Sequence, residues 1–441
     1  MLNRNHQNYS RILIFLLVIW EAVAYLITNN IALNIGVSGI AVFAALLFLD
    51  LKNIALVIVF MLPNQRLFVI PGTDQSLINI IVLAAILFNF RGCLKSNHQN
   101  TGLFLLIMAY ASCVAVIHHD LNLILHAIKP IGVFVLLNCL AQRYSANLKH
   151  LYVQLILFLV AGVLATNALG ILLDSNYSMG AIGTTQRFSA GEMNNPNIIG
   201  FDISFAIALA VVYLSHNRRN LVPTLAACVG LTLFGLMTQS RSFAASLLLI
   251  LAFFAASSLR TLERKKIQIT LAGLITAIAA FFIIQAYLPS IYEPLAYRIF
   301  NPRGDDISGN RFTIWGEYVW YLSNNPNSLL LGIGIENIAD IVGIDSVAHN
   351  AVLETIVIWG TIGSIIFLGL FFAAWKRLKQ MAPLSRKKLE PLNYLPFFSL
   401  LLSSITGHGF LSNPFIIKYY IAILTIFVYG RYQHHASLRK P

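Results

Sequence analysis

Apolar runs of about 16 to 25 residues recur from one end of this 441-residue chain to the other, and they leave it few possible folds. A run of that length crosses the hydrocarbon of a bilayer as a helix, where every backbone polar group must be satisfied inside the segment. Composition agrees, with 58% hydrophobic residues and only 11% charged, outside the range of soluble domains. The chain therefore reads as an all-α polytopic membrane protein of about 12–14 transmembrane helices, with 1–441 forming a single transmembrane domain. Spans are expected near 11–28, 31–49, 53–70, 76–90, 102–117, 121–140, 151–173, 197–214, 221–238, 243–258, 267–288, 348–374, 394–411 and 415–430. Ala22-Val23-Ala24 looks like a signal-peptidase site, but Glu21 is misplaced for one, so the first span is read as uncleaved. The four cysteines lie outside the long polar loops, so no disulfide framework is expected.

With spans so placed, most of the 30 Lys+Arg fall on one side, in clusters such as Arg91/Lys95, Arg143/Lys149, Arg218/Arg219 and Lys376 through Lys388. The positive-inside rule makes that side and both termini cytoplasmic. The net charge of +13 is then a topology signal and no argument for nucleic acid. The opposite side carries only arginine: Arg66, Arg187, Arg241, Arg298, Arg303 and Arg311. Arginine is the cation suited to bidentate contacts with phosphate. One long polar loop, 289–347, lies on this outer side. Its stretch Arg311-Phe312-Thr313-Ile314-Trp315 onward reads as an amphipathic helix for the membrane interface, with Phe312, Trp315, Val319 and Leu322 on one face.

Chemistry-bearing residues gather on the same side. His349-Asn350 opens the apolar run after the long loop, with Asp345 or Ser346 as the expected cap and His349 in the first helical turn. The positive end of a helix disfavours imidazolium, and a neutral imidazole is a competent general base. Gln239-Ser240-Arg241-Ser242 is a short link that sets Arg241 at a helix N-terminus, a ready anion site. Thr184 through Gly191, holding Arg187, leads into Asn194-Asn195-Pro196-Asn197. Arg298 and Arg311 lie in the long loop without an adjacent acidic partner, whereas Arg303 neighbours Asp305 and Asp306. Glu354 shares a helix face with Asn350, and both are secondary candidates. Lys129, Asp202 and Glu354 are intramembrane charges. Gly332-Ile333-Gly334 reads as a tight turn. His118 and His119 sit in a short link taken to be far from the motif. No Cys, His and carboxylate spacing matches a metal site.

Together these residues resemble the bacterial O-antigen ligases and related O-antigen polymerases. The ligases carry His-Asn, nine residues, then Gly-x-x-Gly; here His349-Asn350 is followed by nine residues and Gly360-Thr361-Ile362-Gly363. The Ser240-Arg241 link, the Arg311 and Trp315 pair and the Leu-Gly-Ile-Gly turn at 331–334 are also similar, so the likeness spans about 180–375. The resemblance implies a GT-C-like glycosyltransferase that needs no metal or other cofactor. It would use a glycan carried on undecaprenyl diphosphate in the bacterial inner membrane, with its site facing the periplasm. His349 would be the base, and Arg241 with Arg298 or Arg311 would hold the diphosphate, Arg187 being a further candidate.

The first expectation is a ligase acting on lipid A–core in lipopolysaccharide biosynthesis. Within the class, the alternative is a polymerase of O-antigen or exopolysaccharide that joins lipid-linked repeat units. A membrane transporter or lipid flippase is the reading from another class; it calls for repeat symmetry between halves, and none is visible.

Overall fold

The computed structural model describes residues 4–27, 30–69, 76–173, 196–217, 221–261, 282, 285–286, 293, 296, 311–335, 338–343, 348–382, 390–407 and 411–437. Numbered among these residues, the helices are α1 (Arg4–Leu26), α2 (Ile31–Phe48), α3 (Leu51–Met61), α4 (Leu77–Phe88), α5 (Phe90–Asn97), α6 (Thr101–His118), α7 (Asn122–Arg143), α8 (Leu148–Leu173), α9 (Pro196–His216), α10 (Leu221–Met237) and α11 (Arg241–Thr261). There follow α12 (Arg311–Asn324), α13 (Pro326–Leu331), α14 (Ile338–Val342), α15 (Ala351–Met381), α16 (Leu395–Thr406) and α17 (Asn413–Ser437). Among the described residues no strand forms; Val69 and Ser76 make an isolated antiparallel bridge.

Six segments are long and apolar enough to cross a membrane: Asn8–Leu26, Phe90–His118, Asn122–Arg143, Ser145–Leu173, Pro196–His216 and Ala351–Met381. The shorter expected spans correspond to apolar helices of 10–17 residues, such as Leu33–Phe48 and Arg241–Ser257. The span expected at 267–288 lies almost wholly outside the described residues. All-helical, membrane-compatible architecture therefore holds.

The chain divides into two compact units whose segments interleave in sequence. The first comprises Met1–Ala85, Lys149–Arg298 and Glu390–Ser399, the second Ile86–Leu148, Ile299–Leu389 and Leu400–Pro441. In the first unit α9 is a core helix, with Phe201, Phe205, Ala208 and Val212 buried beside a buried Asp202. Glu21 of α1 is also buried there; its Oε1 accepts from Asn64 Nδ2 at 2.8 Å and Thr166 Oγ1 at 2.7 Å. Hydrocarbon offers no water to a carboxyl group, so partners from other segments must supply the donors.

The second unit is held by a buried polar chain as well as by apolar packing. Tyr420 donates to Asn138 Oδ1 at 3.1 Å, Asn138 Nδ2 to Asn97 Oδ1 at 3.1 Å, and Asn97 Nδ2 to the carbonyls of Cys93 and Val135. This chain links α17, α7 and α5. Such bonds between membrane helices add about 0.6 kcal/mol each, and their larger effect is to fix register.

Candidate functional site

The end of α15 carries the histidine motif. Asn350 is the N-cap: its Oδ1 accepts from Val352 N at 3.0 Å and Leu353 N at 3.1 Å. This corrects the expected cap. Asp345 and Ser346 lie outside the described residues, and α15 starts at Ala351, so His349 precedes the helix and is not in its first turn. His349 has φ 49°, in the left-handed region. A non-glycine residue held there costs on the order of 1 kcal/mol, so the surroundings must impose it.

Those surroundings are α12. Trp315 Nε1 donates to the Ala348 carbonyl at 2.7 Å, and the Tyr318 hydroxyl hydrogen-bonds to the Ala348 backbone. Ala348 is fully buried, in a cluster with Tyr318, Leu322, Ile333 and Val357. Burial pushes the Tyr318 hydroxyl up to about 12, and the Glu354 carboxylate adds to the rise. Glu354 therefore lies on the α12 side of the first turn of α15. Arg311, Trp315, Tyr318 and Leu322 recur at intervals of four, three and four, so Arg311 shares the face that grips Ala348.

Within the protein, the expected apolar face divides in two. Trp315 and Leu322 do turn inward, but Phe312 and Val319 are exposed, as is Trp320. Both flanks of this helix are apolar, one packed on the motif and the other exposed. Phe312 instead stacks edge-on against Trp315, with ring centroids 5.5 Å apart.

The glycines of the motif have a mutual purpose. Gly360 interrupts α15 with φ 66° and ψ 177°, nine residues beyond Ala351, about 14 Å along the helix. The carbonyls freed by the break take donors from elsewhere: Val357 from Ile333 N at 2.8 Å, Ile358 from Gly334 N at 3.3 Å, and Trp359 from the Tyr110 hydroxyl at 2.6 Å. Gly332, at φ 81°, lies against Gly360. A Cβ on Gly332 would sit 2.2 Å from the Ile358 oxygen, and a Cβ on Gly360 would sit 2.1 Å from the Leu330 oxygen. Gly363 meets the Tyr110 ring, where a Cβ would be 2.4 Å from Cε1. The Gly-Ile-Gly segment is thus more than a tight turn: it pairs backbone to backbone with the broken helix.

The link between α6 and α7 joins the same assembly. Asp120 is buried; its Oδ1 accepts from Asn122 N at 2.9 Å and its Oδ2 from Ile335 N at 3.3 Å. A Cβ on Gly334 would be 3.6 Å from His118 Cβ, so this link packs against the motif and is not remote from it. Tyr110 and Asp120 escape sequence reasoning because each acts on residues more than 200 positions away.

Arg241 belongs to the first unit and is the first residue of α11. Ser240 caps that helix, accepting from Phe243 N at 3.3 Å and donating to Asn197 Oδ1 at 3.1 Å. The Asn-Pro-Asn stretch and the Ser-Arg link, separate in sequence, thus meet. Arg187 and Arg298 lie outside the described residues. His349, Asn350, Glu354 and Arg311 all belong to the second unit, on or beside α12 and α15, which meet through Trp315 and Tyr318. Among the described residues no three of His, Cys, Asp and Glu come together as a metal-binding group.

No family model matches the chain, and no curated protein matches it either.

Proposed function

We propose that this chain is a glycosyltransferase of the O-antigen ligase type, working at the periplasmic face of a bacterial inner membrane. It moves a glycan from undecaprenyl diphosphate to a hydroxyl of lipid A–core. The observation that carries the reading is the anchored histidine: Trp315 and Tyr318 hold the Ala348 backbone, and the next residue, His349, keeps a left-handed conformation.

In this reading His349 takes the proton from the acceptor hydroxyl as its oxygen attacks the anomeric carbon. The bond from that carbon to the diphosphate oxygen breaks, and undecaprenyl diphosphate leaves with the electron pair. Arg311, on the face of α12 beside the motif, stabilises the leaving charge. The acceptor is the test. Purified protein in excess EDTA, given an undecaprenyl-diphosphate glycan and either lipid A–core or a second lipid-linked repeat, should elongate lipid A–core. Product on the repeat alone would make the chain a polymerase.

Trp315 positions His349 and leaves the chemistry to it. Trp315→Phe keeps the ring and loses the donor to the Ala348 carbonyl, a loss of about 1 kcal/mol. The turnover number should fall about fivefold with KM for the donor unchanged; an unaltered kcat would remove Trp315 from this role.

The sequence resemblance gives Arg241 a diphosphate-binding duty, and the planar guanidinium makes it testable. Arg241→Lys keeps the charge and loses the fork, so it should be nearly as damaging as Arg241→Ala, by about 2 kcal/mol in transition-state terms. A fully active lysine variant would reduce Arg241 to a general charge.

A further inference from the structure

A cavity of about 740 Å³ lies in the second unit, where the end of α4, one face of α5 and the end of α7 meet. Three cations line it, Arg91, Lys95 and Arg143, beside Phe88 and Phe90. All five side chains are exposed. None of the three cations has an ion pair with a described carboxylate. The sequence explains why: from Gln75 to Leu173 the sole acidic residue is Asp120, which caps the opposite end of α7, about 33 Å away along a 22-residue helix.

Lys95 and Arg143 sit in the last turns of α5 and α7, where the helix dipole favours a cation, but local physics works against Arg91. Arg91 and Lys95 are four apart on α5, where like charges repel, and Arg91 sits in the first turn, where the helix dipole disfavours a cation. Topology alone does not require such crowding, since the positive-inside rule is met by basic residues spread anywhere in the loops. The walls are also fixed, because Asn97 and Asn138 tie α5 to α7 next to the lining residues Ser96 and Cys139 in sequence. Leu87, Phe88 and Phe90, each more than half exposed, form an apolar lip next to the charge. Three cations without a carboxylate partner among the described residues, in a built cavity with an apolar lip, fit a molecule with an anionic head and hydrocarbon tails.

We propose that this cavity binds the phosphate headgroup of an anionic phospholipid, in the leaflet that faces the chain's basic loops. The site is separate from the glycan-transfer reading: it lies at the C-terminal end of α7, whereas the link next to the histidine motif lies at the N-terminal end. The anion binds among Arg91, Lys95 and Arg143, and the acyl chains run along Phe88 and Phe90.

The test is native mass spectrometry of the full-length protein titrated with phosphatidylglycerol, phosphatidylcholine or inorganic phosphate. Phosphatidylglycerol should bind at least about tenfold more tightly than phosphatidylcholine, and Arg91→Gln/Lys95→Gln/Arg143→Gln should remove about tenfold or more of that affinity. Lys52→Gln/Lys265→Gln/Lys266→Gln, which removes three cations that do not line the cavity, should leave binding within about twofold. Equal loss in both triple variants, or none in the first, would overturn the site. Displacement of phosphatidylglycerol by millimolar inorganic phosphate would overturn the lipid assignment. Photoactivatable phosphatidylglycerol on the wild-type protein needs no variant: crosslinks should map to 86–97 and 138–144, and crosslinks elsewhere contradict the proposal.

Discussion

His349→Gly should give a protein that is as stable as wild type or more so, and inactive. The left-handed backbone at His349 is strained for any residue with a Cβ, and glycine relieves about 1 kcal/mol of it. The imidazole is lost at the same time, and general-base catalysis contributes about 10²–10⁴-fold. His349→Asn, whose side chain tolerates the left-handed region, should likewise fold and fail to transfer. A residue kept for structure behaves in the opposite way, losing stability with its side chain. The measurement is glycan transfer at equal protein alongside thermal unfolding in the same detergent. An active His349→Gly variant would remove the histidine from the chemistry.

Gly360→Ala should be far more destructive than its single methyl group suggests. Its Cβ would overlap the Leu330 oxygen at 2.1 Å and approach Gly332 N at 2.6 Å, and the backbone there has φ 66°. Neither neighbour is a flexible side chain that can swing away. The expected cost is about 3 kcal/mol or more, seen as a lower unfolding temperature and loss of activity. Gly332→Ala meets the same contact from the other side and should match it. Gly316→Ala is the control, because nothing lies within 4 Å of its Cβ position in α12. It should be neutral or slightly stabilising, since alanine favours a helix interior. A Gly360→Ala protein that melts like wild type would refute the pairing of the two glycines.

Much of the helical architecture was readable because apolar length is a local property. Arg241 at a helix N-terminus was legible for the same reason: a short polar link followed by an apolar run is written in consecutive residues, whereas the Ser240 cap emerges only from the fold. The start of α15 was misplaced since Asp345, Ser346 and Asn350 are all good caps, and choosing among them depends on where α12 anchors Ala348. The spacing from His349 to Gly360 was visible as a pattern, but its cause was not. That cause is a Gly-Ile-Gly segment some 25 residues upstream and a tyrosine 249 residues away in α6, which supply donors to a break in the helix. Hydrogen-bond partners drawn from distant segments leave no periodicity to detect. Arg187 and Arg298 fall outside the described residues, so their part in the account rests on sequence.

The most direct measurement uses proteoliposomes holding the purified protein and a labelled undecaprenyl-diphosphate glycan, with a hydroxyl acceptor on the accessible face. The account predicts cleavage at the anomeric carbon, one undecaprenyl diphosphate released for each glycan joined to the acceptor, and no reaction with His349→Gly. Passage of the intact lipid-linked glycan from one leaflet to the other, with no cleavage and no acceptor product, would contradict it and identify a transporter.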